Sequence, residues 1–194
     1  MDRRTFLASA ATVVSTAAAG CSAIDRRTEH TNPAVETEDQ QGDNGKYLSF
    51  TEGGDDLATV GVDPKFTPLP NHLHVWIWHR EGTRPQSLVQ RFAAPDGDGT
   101  PPKLALHGPF MGGSEPYPSV SLYEDGAAAV VEVHRFGDLA DETVFMNLSV
   151  SRWPESARRL VVESTVELTE QGIPDRTHVL DGGVEFTAGS ESGD

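Results

Sequence analysis

The stretch His72-Leu73-His74-Val75-Trp76-Ile77-Trp78-His79 decides the fold of this 194-residue chain. Successive side chains of a β-strand point to opposite faces, so His72, His74, Trp76 and Trp78 share one face of the predicted strand. The other four residues share the opposite face. Large β-branched and aromatic side chains in a run of eight, without helical spacing, favour a strand.

Alternation of the same kind recurs along the chain. In Thr143–Ser151, and in Leu160–Leu168 apart from Ser164, apolar residues occupy every second position, which predicts strands with one buried face. Asp125-Gly126 separates two such runs and predicts a hairpin turn, and Asp181-Gly182-Gly183 predicts a second. The 19 glycines and 13 prolines mark the turns between about ten runs. We therefore predict an all-β, immunoglobulin-like β-sandwich of about 8–10 short strands, with a closed barrel as the alternative.

The first 21 residues have the pattern of a targeting segment. Arg3 and Arg4 precede Phe6 and Leu7, and an uncharged run then leads to Ala-Ala-Ala-Gly and Cys21. That run is shorter than the roughly 20 apolar residues that span a bilayer. Paired arginines before a weakly apolar run are read by twin-arginine export. As the only cysteine, Cys21 has no intramolecular disulfide partner.

This segment resembles the twin-arginine signal and lipobox of lipoproteins secreted by halophilic archaea. The resemblance covers residues 1–21 and implies passage through the export machinery, with Arg3, Arg4, Phe6 and Leu7 as the export signal. It also implies lipidation of Cys21, whose lipid would hold the chain in the membrane. We accordingly expect a cell-surface protein, anchored to the outer face of the cytoplasmic membrane.

The charge of the chain limits the classes of partner that it can bind. The formal net charge is -15, with 30 acidic residues and only three lysines, Lys46, Lys65 and Lys103. Nucleic-acid binding needs a basic footprint, so we expect no nucleic-acid partner. Strong acidity with few lysines is typical of adaptation to high salt, where the self-repulsion of the chain is screened.

The sequence predicts four segments. Residues 1–21 are the signal peptide with its lipobox, and 22–45 are a disordered tether, because their composition offers few apolar residues to bury. Residues 46–188 are the β-sandwich domain, and 189–194 are a disordered tail.

Three interpretations of the His72–His79 strand remain open. It is a central strand covered on both faces with its tryptophans in the core, or a face that binds a partner or a glycan through exposed Trp and His. Alternatively, His72 and His74 bind a metal with a third ligand from His107, His134 or His178. Separately, Asn147-Leu148-Ser149 is a sequon, which makes Asn147 a candidate N-glycosylation site.

The sequence contains none of the common catalytic motifs. There is no Gly-x-Ser-x-Gly elbow, no phosphate-binding glycine loop that opens a helix, and no His-Glu-x-x-His. We predict a non-catalytic binding or envelope-associated module, and no cofactor apart from the metal considered above. The alternative is an exported metal- or small-ligand-binding protein that uses the His72/His74 strand, and a third reading is an extracellular hydrolase.

Overall fold

A computed structural model describes residues 26–37, 45–66, 69–107, 118–137 and 143–187. Twelve strands and no α-helix occur in these residues. In particular, none of them forms a helix long and apolar enough to cross a membrane. The strands are β1 (Arg26–His30), β2 (Ala34–Thr37), β3 (Lys46–Glu52), β4 (Asp55–Phe66), β5 (Pro70–His79), β6 (Thr83–Ala93), β7 (Lys103–Leu106), β8 (Ser119–Asp125), β9 (Ala128–His134), β10 (Val144–Arg152), β11 (Arg159–Glu170) and β12 (Arg176–Thr187).

The strands form two six-stranded sheets. The order in the first, called the front sheet here, is β2-β3-β4-β5-β10-β7, and in the second, the back sheet, it is β1-β12-β11-β6-β9-β8. The chain crosses between the sheets after β1, β5, β6, β7, β9 and β10. Every pairing is antiparallel except β1 with β12, which is parallel.

The inner faces of the two sheets pack into one hydrophobic core, so the predicted β-sandwich is confirmed. The predicted inward residues of β10 and β11, such as Met146 and Val162, are buried in this core with Phe50 and Phe92. Asp125-Gly126 does begin the turn of the β8–β9 hairpin, where Gly126 takes a positive φ of 61°. The strands number more than the eight to ten expected, and several run for 9–12 residues.

The second predicted hairpin is wrong. Asp181-Gly182-Gly183 lies inside β12, which pairs with β11 without interruption from Arg176 to Thr187. Gly182 packs under Pro33, whose side chain would lie 2.7 Å from a Cβ added there. This glycine is therefore needed for close approach within the sheet rather than for a turn.

The prediction of a disordered tether over 22–45 is wrong for residues 26–37. β1 adds to the back sheet beside β12 and β2 adds to the front sheet beside β3, so this segment joins both sheets at one side of the sandwich. Its side chains are mostly exposed and lack a pattern, because main-chain pairing rather than apolar burial orders it. The signal residues with Cys21 lie outside the described residues, as do residues 108–117 and the predicted tail 189–194.

Candidate functional site

The outer face of β5 carries exposed aromatic and imidazole groups. His72 and His74 are exposed, Trp76 is half-buried and Trp78 is 39% exposed, whereas Leu73 and the other inward residues are buried. The predicted shared face is therefore correct. The interpretation that both faces of this strand are covered, with its tryptophans in the core, is wrong, because the described residues add no layer outside the front sheet.

One row of residues runs across five strands of the front sheet. Glu36, Tyr47, Gly61, Trp76 and Phe145 are successive cross-strand partners on β2, β3, β4, β5 and β10. The Tyr47 hydroxyl donates to Glu36 Oε2 at 2.8 Å. A Cβ at Gly61 would lie within 3.0 Å of three atoms of the Trp76 indole. The indole therefore lies against the backbone of β4, where only glycine leaves room for it.

A cleft of about 580 Å³ opens above this row. Phe145, which is 45% exposed, and Trp78 present apolar faces to it, and Trp76 lies between them on the sheet. Aromatic groups exposed on a rigid sheet lose little conformational entropy when they bind a ligand. The described residues that line the cleft are Tyr47, Thr59, His74, Trp76, Trp78, Thr143 and Phe145.

Polar side chains lie at the end of the cleft marked by His74. His74 Nδ1 donates a hydrogen bond to Asn147 Oδ1 on β10. Asp63, the cross-strand partner of His74 on β4, is buried, and its Oδ2 forms an ion pair with Lys65 Nζ at 2.6 Å. The second oxygen, Oδ1 of Asp63, has no hydrogen-bond partner among the described residues. The cleft thus combines apolar ring faces with imidazole, amide and hydroxyl groups at its edges.

Of the three histidines proposed as partners of the His72/His74 pair, only His107 meets one of them within the described residues. The rings of His72 and His107 do meet edge to face, with centroids 5.6 Å apart. His134, however, binds Glu132 on β9 at 2.8 Å, and His178 lies in the back sheet. Within the described ranges, no set of three metal-binding groups includes His72 or His74.

A second cluster lies between the two sheets at one end of the core. His30 of β1, Glu52 of β3 and His178 of β12 place ligand atoms within 4.8 Å of one another. His30 Nε2 and His178 Nδ1 are 3.2 Å apart, and Glu52 Oε1 is 4.0 Å from His178 Nδ1. The sequence analysis missed this cluster, because His30 fell in the expected tether and 148 residues separate it from His178.

Two arginines enclose the carboxylates of this cluster. Arg80 donates to Glu52 Oε2 at 3.1 Å and to Glu170 Oε1 at 2.9 Å, while Arg176 donates to Glu52 Oε1 at 2.9 Å. Burial raises the pKa of Glu52, but the Arg80 hydrogen bond and the charges of His178, Arg176 and Arg80 outweigh it and lower the pKa overall. Burial, helped by His178, lowers the pKa of His30 against the opposing charge of Glu52.

The chain matches the family model described as Domain of unknown function (DUF8121) over residues 27–190. It belongs to that family. The matched range includes both sheets, the aromatic cleft and the His30 cluster. No curated protein matches the chain.

Solved structures that are similar to this DUF8121 domain include two collagen-binding domains. One is the collagen-binding domain of a Staphylococcus aureus adhesin, at 10% identity and a TM-score of 0.31, covering 65% of this chain and 96% of that one. The other is the collagen-binding domain of the Erysipelothrix rhusiopathiae surface protein RspB, at 11% identity and a TM-score of 0.28, covering 85% of this chain and 79% of that one. The assignment of the DUF8121 domain to the β-sandwich class rests on its own two sheets.

The candidate glycosylation site of the DUF8121 domain lies beside the cleft. Asn147 is half-buried on the outer face of β10, and its amide oxygen accepts from the cleft residue His74. A glycan would be attached through Nδ2 of Asn147 and would lie at that end of the cleft.

Proposed function

We propose that this protein is an exported, lipid-anchored, cell-surface binding module, and that the aromatic cleft of its front sheet binds a carbohydrate. The observation that carries the proposal is the group of three aromatic rings, Trp76, Trp78 and Phe145, on the outer face of the front sheet. Monomeric proteins seldom expose several large aromatic side chains together unless they bind something. Trp76, packed on Gly61, and the exposed Trp78 and Phe145 form such a group.

A sugar ring suits the chemistry of this cleft. The polarised C–H groups on one face of a pyranose are attracted to the negative face of an indole, and its hydroxyls need hydrogen-bond partners at the edge. The described lining supplies both, with the indoles as platforms and His74, Thr59 and Thr143 as polar groups. The His74–Asn147 bond holds the imidazole in one orientation. A few fixed polar groups around an apolar surface are what orients a small ligand.

The test is a titration of the full chain with a panel of neutral oligosaccharides in high salt, followed by intrinsic tryptophan fluorescence and calorimetry. Trp76→Ala and Trp78→Ala should each weaken binding by about 30-fold, as expected for a central aromatic contact worth roughly 2 kcal/mol. Tyr123→Ala is the matched control, because Tyr123 is 47% exposed on β8 of the back sheet. Equal affinity of the Trp76 variant and the wild type would contradict the proposal, as would a panel without a binder.

The anchoring half of the proposal rests on the first 21 residues and is tested separately. Cys21→Ser should move the protein from the membrane fraction to the soluble exported fraction, because the thiol is the expected lipid attachment point. Arg3→Lys together with Arg4→Lys should leave the protein in the cytoplasm. Unchanged membrane partitioning of the Cys21 variant would refute lipidation, and normal export of the double variant would refute the twin-arginine route.

A further inference from the structure

The cluster of His30, Glu52 and His178 is independent of the aromatic cleft and has the chemistry of a metal site. Its three side chains come from β1, β3 and β12, so the two sheets both contribute. Two neutral imidazole nitrogens and one carboxylate oxygen form a common protein ligand set for Zn²⁺. Such a site would connect the first strand of the domain to both sheets.

The ligand spacing fits a small tetrahedral ion. Zn–N bonds of about 2.0–2.1 Å place two ligands of a tetrahedron about 3.3 Å apart. His30 Nε2 and His178 Nδ1 are 3.2 Å apart, and Glu52 Oε1 lies 4.0 Å from the second of these nitrogens. A sub-ångström movement of the Glu52 carboxylate would complete three corners of the tetrahedron. These two nitrogens form a hydrogen bond with each other, so the ion would replace that bond, and neither nitrogen would then carry a proton.

The surroundings of His178 supply a second, independent observation. His178 is fully buried, and its Nε2 has no hydrogen-bond partner among the described residues. The carboxylate oxygen Oε2 of Glu170 lies 3.5 Å from that nitrogen. When Nδ1 of a histidine binds a metal, Nε2 must carry the proton, and a carboxylate next to it is the usual partner. Glu170 occupies that place.

The two arginines around Glu52 are compatible with an ion. Each oxygen of a carboxylate has two lone pairs, so Glu52 Oε1 can accept from Arg176 and bind a cation at the same time. Arg80 and Arg176 are both paired with Glu52 and Glu170, so the two arginines themselves add no net positive charge at this site. The net charge of -15 on the whole chain favours the entry of a cation.

We propose that His30 Nε2, His178 Nδ1 and the Glu52 carboxylate bind a divalent transition-metal ion of the Zn²⁺ type, which fastens β1 to the rest of the sandwich. The site is structural, because it joins three strands at one end of the core. Metal binding should therefore slow the exchange of the β1 amides at 26–30 more than those of the hairpin β8–β9. Binding of the ion to the folded state also stabilises that state.

The experiment is a Zn²⁺ titration of the full chain by calorimetry, with native mass spectrometry for stoichiometry and hydrogen exchange for β1. The wild type should bind one Zn²⁺ at this site, and its melting temperature should rise by about 5–10 °C when free Zn²⁺ is 100-fold above Kd. His30→Gln should weaken that binding at least tenfold and abolish the added protection of 26–30. Glu52→Gln should weaken it as well.

His134→Gln is the matched control, because His134 pairs with Glu132 on the back sheet away from the cluster. It should bind Zn²⁺ like the wild type. Cys21, His72 and His107 remain present in every variant, so zinc bound by those residues would persist in His30→Gln. Undiminished binding in His30→Gln, or a wild type that binds no Zn²⁺, would overturn the proposal.

Discussion

Gly61→Ala should destabilise the protein because the added methyl group occupies the space of the Trp76 indole. The new Cβ would lie within 3.0 Å of three indole atoms, so the ring must leave its place on β4. Overpacking of this kind costs about 1–3 kcal/mol. Alanine returns about 0.5–1 kcal/mol by restricting the unfolded chain, since Gly61 is not among the glycines with positive φ. We expect a net loss of about 1–2 kcal/mol.

The effect of Gly61→Ala on the free energy of unfolding should have the opposite sign once the Trp76 indole is absent. In a Trp76→Ala background there is no ring to displace, so Gly61→Ala should stabilise the protein by about 0.5–1 kcal/mol. The double-mutant cycle then gives a coupling of about 2 kcal/mol, well above the 0.3–0.5 kcal/mol expected of independent sites. Urea denaturation of the four proteins, followed by circular dichroism in high salt, measures it. Equal effects of Gly61→Ala in the two backgrounds would refute the close packing of Trp76 on β4.

Three further predictions concern stability. Ser164→Ala removes the hydrogen-bond partner of Gln90 Nε2 inside the core, so it should lower the free energy of unfolding in urea by about 1–3 kcal/mol. Adding Gln90→Leu should recover most of that loss, and a loss below about 0.5 kcal/mol would contradict the prediction. Desolvation opposes ionisation of Asp96, but hydrogen bonds from the Arg158 and Arg159 amides outweigh it and lower the pKa of Asp96. The stability that the Asp96 carboxylate contributes is therefore present at neutral pH and is lost as pH falls through that lowered pKa. Asp96→Asn should therefore lower the melting temperature at pH 7 and converge with the wild type in acid; a constant difference across that range would refute the assignment. Finally, with a net charge of -15, the melting temperature should fall as salt is lowered from molar to about 0.1 M, and a flat response would contradict salt adaptation.

The sequence predicted the strands whose side chains alternate and missed those ordered by their neighbours. β10 and β11 carry marked alternation because one face of each is buried, and the alternation alone located those faces. β1 and β2 expose most of their side chains, so burial leaves no periodic mark on their sequence. Gly182-Gly183 looked like a turn because the contact that requires Gly182, with Pro33, joins residues far apart in sequence.

The same distinction holds for the two candidate sites. The aromatic face was predictable, because His72, His74, Trp76 and Trp78 lie on one strand and a period of two places them together. Whether that face was covered depended on what lay outside the front sheet, which no local pattern reports. The His30 cluster draws on three strands, and its members come together only through the parallel pairing of β1 with β12. Composition could not indicate that pairing.

The charge distribution of the front sheet constrains what the cleft binds. The chain as a whole is strongly acidic, yet no described lining residue carries a carboxylate, and Asp63 beside His74 is buried and paired with Lys65. An anionic ligand would meet the repulsion of the whole chain without a cationic partner in the lining, and a cationic ligand would lose affinity steeply as salt screens its attraction. A neutral ligand held by ring faces and hydroxyls is affected by neither. Affinity that stays constant between about 0.1 M and molar salt is therefore the behaviour that a neutral carbohydrate in this cleft requires.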